Sequence, residues 1–261
     1  MNNMATKPSN NAEVPAASMD DITDTQEHNL PAVVDTGMKL GAVDGDVSAS
    51  DFRLPRLQIA YGVGGLAENF HPGDLVLAGE NLLVEKGKPL RVIVLQATTY
   101  WKEYTSGKKF IPGGPLPQCF KTAAEAHDAG FTTEWTTDPT TGVKSGPGCS
   151  KAMQLKLLIE QPEGILCTLF GIKLGKKIYA PAIWDVDKSA YRRIQPVVQT
   201  ASSFSLRERG LLSGVFEIMT KFEKIGDNMT PVPMMKLADN NSDEVVKEIV
   251  ALFAEQEEPP F

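Results

Sequence analysis

Residues 98–110, TTYWKEYTSGKKF, set Tyr100, Trp101, Tyr104 and Phe110 among Lys102, Lys108 and Lys109. Ammonium groups neutralise phosphates and exposed rings stack on unpaired bases, so this interleaving suits single-stranded nucleic acid. Similar groups recur further on: Lys173, Lys176 and Lys177 with Tyr179, Tyr191 with Arg192 and Arg193, and Phe204 with Arg207 and Arg209. Strand residues alternate faces, so about half of these rings would belong to a core, with Tyr179 and Trp184 the readiest to be buried.

Charge is distributed in the same sense. The chain carries −7 overall, but residues 1–51 hold nine acids against Lys7 and Lys39, and residues 239–261 hold seven against Lys247. Residues 52–238 therefore carry 23 basic and 17 acidic side chains, a net of +6 between two anionic ends. Attraction to a polyanion follows the local field and not the total.

Other chemistries have less material. There are three histidines, His28, His71 and His127, and neither a G-x-S-x-G elbow nor an H-E-x-x-H pair. Residues 52–238 contain no Asp/Glu-x-Lys triplet of the kind metal-dependent nucleases use. YGVGGL (61–66) has the glycines of a phosphate loop without the following Lys-Ser/Thr. Cys119, His127, Cys149 and Cys167 are separated by 8, 22 and 18 positions, without the close pairs that fold a zinc knuckle. The three cysteines therefore read as buried or incidental thiols, Cys167 in a core strand, with a structural zinc on the set as the alternative. Asp185 and Asp187 read as caps of the helix that follows. A non-enzymatic protein without cofactor or metal is expected.

The elements that must position the aromatic–basic groups are mostly strands. Short β-branched runs at 74–79, 82–85 and 90–98 are separated by Gly, Pro and Asn. Residues 152–160 alternate as a half-buried strand does. Residues 165–184 suggest a hairpin turning at Leu174-Gly175-Lys176, and 215–225 with 231–237 a last pair around Gly226-Asp227-Asn228. Helices are expected at 122–130, at 187–199 with Pro196 limiting or kinking it, and after Asn241. That last helix has Asn241 as cap, Glu244 completing a capping box, and an apolar stripe of Val246, Ile249, Val250 and Phe253. The Pro/Gly/Thr-rich stretch 138–148 reads as a loop.

Residues 1–51 have the composition of a disordered acidic arm. Residues 52–254 form one mainly-β (α+β) binding domain ending in the helix, and 255–261 form an acidic tail tip. No apolar run approaches bilayer length, and Met1–Ser18 lacks a secretory pattern, so an intracellular protein without membrane contact is expected.

The tip, Glu255, Glu257, Glu258, Pro260 and Phe261, resembles the tail end of bacterial and phage single-stranded-DNA-binding proteins. The body, from FRLPRLQIAYG through HPGDLVL to VIVLQATTYWKEY, is similar to phage-encoded proteins of this kind. The tip carries Pro259 where the bacterial pattern has an aliphatic residue. The resemblance implies an OB-like antiparallel barrel that coats unpaired strands in phage replication or recombination, inside the cytoplasm of a bacterial host. It implies that Glu257, Glu258, Pro260 and Phe261 recruit replication or recombination proteins. Insertions such as 112–150 are implied by the size of the body, and a homo-oligomer is compatible with it. Two other classes stay open on the residues alone: a phage structural or assembly protein, and a factor that recruits transcription machinery.

Overall fold

The run Leu90–Leu95 is apolar at five of six positions, so a strand there needs cover on both faces. The computed structural model, which describes residues 54–104 and 117–254, supplies both covers. Strand β1 (Leu57–Ile59) pairs with β2 (Leu75–Leu77), and β2 with β3 (Asn81–Val84), in a small antiparallel sheet. The 14-residue β4 (Leu90–Glu103) follows. Then come β5 (Cys119–Phe120), α1 (Ala123–Asp128), the two-residue pair β6 (Thr136–Thr137) and β7 (Lys144–Ser145), and β8 (Cys149–Glu160). After β9 (Ile172–Leu174) and β10 (Lys177–Asp187) the chain enters α2 (Lys188–Thr200) and a π-helical turn at Ala201–Ser205. It ends in β11 (Gly214–Ile225), β12 (Asn228–Asn240) and α3 (Asp243–Ala254).

The fold is mainly β. The large sheet runs β12-β11-β4-β8-β10-β9 with every pairing antiparallel, and β5 joins β4 beyond the stretch that β11 occupies. One face carries Val92, Val94, Leu155, Leu157, Trp184 and Phe216 against the small sheet and the buried stripe Ala190, Ile194 and Val198 of α2. The other carries Ile93, Leu158 and Tyr179 against Ile249 of α3. A leucine buried in this way is worth about 1.5–3 kcal/mol over an exposed one.

A bulge between Val94 and Gln96 interrupts β4 and reverses its alternation. Before it the even-numbered residues Leu90, Val92 and Val94 face the small sheet and α2. After it, Ala97 pairs with Leu155 and Trp101 with Lys151, so the odd-numbered residues take that face.

Several expectations are revised in detail. Residues 152–160 are covered on both faces, because α3 lies over Leu158. The hairpin at Gly175 forms, but its first arm is only β9. Cys167 lies before it in a loop, half-buried, and Leu166 beside it is fully exposed. The helix α2 runs through Pro196, whose ring sits on the exposed side, and packing of Ile194 and Val198 holds the turns beyond it. Part of 138–148 forms β7, with the Asp138 carboxylate accepting from the Thr140 and Thr141 amides at 2.7 and 3.1 Å.

At α3 the side-chain cap is Ser242, whose Oγ accepts from the Val245 amide at 3.4 Å. Asn241 is buried instead and donates to the Leu212 carbonyl at 2.9 Å. The packed seam is Val245, Ile249, Leu252 and Phe253, which leaves Val250 exposed. The acidic arm and the tail tip lie outside the described residues. No helix among the described residues is long and apolar enough to cross a membrane.

Candidate nucleic-acid interface

The strands β4 and β8 stay paired as far as Glu103 and Cys149, and β10 ends level with Ala152 of β8, where α2 begins. Three chain segments therefore meet at one end of the sheet, and the tip of the β11–β12 hairpin closes the fourth side. Between them is a cleft of about 620 Å3. Tyr104 enters it from the end of β4 and Trp135 from the segment before β6. Trp135 lies against Gly146, close enough that a Cβ there would be in van der Waals contact with the ring at 3.5 Å. Tyr104 is 38% exposed and Trp135 69% exposed.

The polar lining is cationic. Lys151, Lys188, Arg192, Arg193 and Lys224 face one carboxylate, Glu223, a net of +4. Glu223 is engaged by the Arg193 guanidinium. The ammonium of Lys188 lies 5.2 Å from the centre of the Tyr104 ring, and that of Lys151 lies 5.4 Å from the centre of Trp101. Such contacts orient ring and cation together. Burial raises the Tyr191 hydroxyl above its ordinary value. Lys188 has φ 51°, the left-handed region, which costs a residue with a Cβ about 1–3 kcal/mol. Backbone strain thus sits at the start of α2, on the wall of the cleft.

The sequence-predicted residues divide by location. Tyr104, Tyr191, Arg192 and Arg193 line the cleft, and Trp101 is half-buried beside it, opposite Phe120 of β5. Tyr100 and Lys102 point to the other face of β4. There the Tyr100 hydroxyl donates to Asp185 at 3.4 Å and Lys102 bonds Asp187 at 3.0 Å. Burial, then the Asp185 charge, pushes the Tyr100 hydroxyl well above its usual range. Neither aspartate caps α2: Asp187 holds the cap position but its side chain bonds Lys102, and Asp185 accepts from Tyr100 and from Gln154 at 3.0 Å.

Lys176 and Lys177 lie at the opposite end of β10, ten strand positions or about 33 Å away, and Lys177 bonds Glu160 at 2.8 Å. Arg207 and Arg209 follow the far end of α2. The Arg209 guanidinium donates to the Asn241 carbonyl at 3.1 Å and to Asp243, tying down the start of α3. Lys108, Lys109 and Phe110 lie outside the described residues. Tyr179 and Trp184 are buried, the alternative that strand alternation raised.

Trp135, Lys151, Lys188 and Lys224 complete the cleft without having been singled out in the sequence. Trp135 did leave a signal, since it is a lone large ring in the polar run TTEWTT with no apolar neighbour to bury it. The cysteines are free, Cys149 buried and Cys119 exposed, and the His127 ring bonds the Thr133 hydroxyl at 2.7 Å. Burial, then Glu103 and Cys119, raises the Cys149 thiol above its ordinary value. Among the described residues no group of three or more His, Cys, Asp or Glu side chains is placed to hold a metal ion.

Compared with protein-family models, curated proteins and solved structures, the chain matches none.

Proposed function

We propose that this protein binds single-stranded DNA without base sequence preference, coating unpaired strands during phage replication or recombination in the cytoplasm of a bacterial host. The observation that carries the reading is the cleft in which exposed Tyr104 and Trp135 stand among five cations. Rings at this exposure can receive base faces, which a duplex hides by stacking, while the cations hold phosphates of any sequence. In this reading the large sheet, whose described pairings run as an open path from β12 to β9, takes the place of an OB-like barrel, with residues 117–148 as an insertion that contributes Trp135. The activity is binding alone and calls for no cofactor.

Gel shifts with single-stranded and duplex oligonucleotides of one sequence test it directly. The single strand is expected to bind more tightly, and Trp135→Ala to weaken that binding by about 1–3 kcal/mol with the melting temperature unchanged. Equal affinity for both forms, or an unaffected Trp135 variant, would rule the reading out.

The tail tip would serve partners, not the strand. An aromatic ring that follows a run of carboxylates suits a basic pocket with an apolar floor on a replication or recombination enzyme, with Glu257, Glu258, Pro260 and Phe261 as its contacts. Deleting Phe261 alone is expected to abolish capture of such an enzyme from infected-cell extract while leaving DNA binding intact. Identical captured sets from the two proteins would remove this role.

A further inference from the structure

Two hollows lie end to end along one seam. The first is the Tyr104–Trp135 cleft, which reaches Arg193 of α2 and Val232 of β12. The second, about 360 Å3, opens between the later half of α2 and the same strand, with Thr200 and Ser205 on one side and Met235 and Lys236 on the other. Arg193 of the first hollow and Val197 of the second are one helical turn apart on α2, so the hollows adjoin along the helix. The helix surface beside them is open: Arg192, Pro196, Gln199 and Ser203 recur at helical spacing, and all four are exposed.

Beyond the second hollow the chain leaves α2 through its π-helical turn. Phe204, next to Ser205 in that turn, is 78% exposed. Single π-turns are frequent at functional sites, and this one presents a ring that the described residues leave uncovered. Arg207 is exposed three positions on. Of the carboxylates of β11, Glu223 is bound to Arg193, and Glu217 alternates to the face opposite Phe216 and Ile218, where Lys236 bonds it at 2.9 Å. Glu208 stands between Arg207 and Arg209.

We propose that a bound single strand continues from the Tyr104–Trp135 cleft along the α2–β12 seam to a second stacking position on Phe204. This rests on the single-strand reading above and adds a path and a length to it. The 13 residues of α2 span about 20 Å, or about six nucleotides at the 3.4 Å spacing of a stacked strand. Phe204 is therefore a binding residue that only a strand longer than the first cleft can reach.

The test compares oligothymidylates of about 4 and about 12 nucleotides, lengths at the low end and within the usual range of such sites, by fluorescence titration at low salt. Phe204→Ala is expected to weaken the longer oligomer at least about fivefold and to leave the shorter unchanged. Trp135→Ala should weaken both lengths. Thermal melting controls for folding, which an exposed ring should not affect. If Trp135→Ala weakens binding and Phe204→Ala leaves the longer oligomer unaffected, the strand takes another path and the inference fails while the single-strand reading stands. Equal loss at both lengths from Phe204→Ala also overturns it. Wild-type protein that binds neither oligomer removes both readings together.

Discussion

Raising the salt concentration from about 50 to about 200 mM is expected to weaken single-strand binding by about 50- to 130-fold. Each phosphate neutralised releases condensed counterions, and for single strands the logarithm of affinity falls by about 0.7 per contact per decade of salt. The cleft offers Lys151, Lys188, Arg192, Arg193 and Lys224. Arg193 already has Glu223 as a partner, so about four to five contacts apply and the slope is about −2.8 to −3.5. The overall charge of −7 does not cancel this, because fields are screened within about 10 Å at 0.1 M. Replacing Lys151 and Arg192 together by Gln should flatten the slope by about 1.4. Titrations at four salt concentrations give both slopes, and a salt-independent affinity would mean the cleft does not hold phosphates.

Phe216→Ala is expected to cost about 3–5 kcal/mol of folding stability, a large part of the roughly 5–15 kcal/mol a domain has. The ring is fully buried, pairs in register with Val92 of β4, and joins β11 to the core under α2. Its surroundings are tight: a Cβ placed on Gly214 would come within 2.5 Å of Leu206 and 3.1 Å of Phe216 itself. A cavity there cannot close without moving β11. In urea the midpoint should fall with the slope unchanged, and a loss under 1 kcal/mol would place Phe216 outside the packed core. Trp135→Ala, which removes a ring of similar size from the surface, should leave the same midpoint where it is.

Local pattern was enough to locate most of the strands and all three α-helices among the described residues. Alternation at 152–160, the Gly175 turn and the Asp-Asn turn after Gly226 are properties of a few neighbouring residues, and β8, the β9–β10 hairpin and the β11–β12 hairpin appear where those signals lie. The capping signal before α3 was likewise local, and so its helix was expected. Which residue caps it depended on Leu212, distant in sequence, claiming Asn241.

Which rings would share a site was a different matter. TTYWKEY reads as one cluster, yet the bulge at Val94–Gln96 and the pairing register send Trp101 to one face and Tyr100 with Lys102 to the other. There Asp185 and Asp187, more than 80 positions away, engage both side chains. Lys177 and Arg209 look equivalent to Arg192 in the sequence, but a strand length separates the first from the cleft and α3 engages the second. Composition alone determined a cationic, aromatic-bearing body between acidic ends, because charge and ring count do not depend on folding. The cleft itself was decided by tertiary structure, since strand register, one bulge and the convergence of β4, α2 and the β11–β12 tip choose which of those charges and rings face one another.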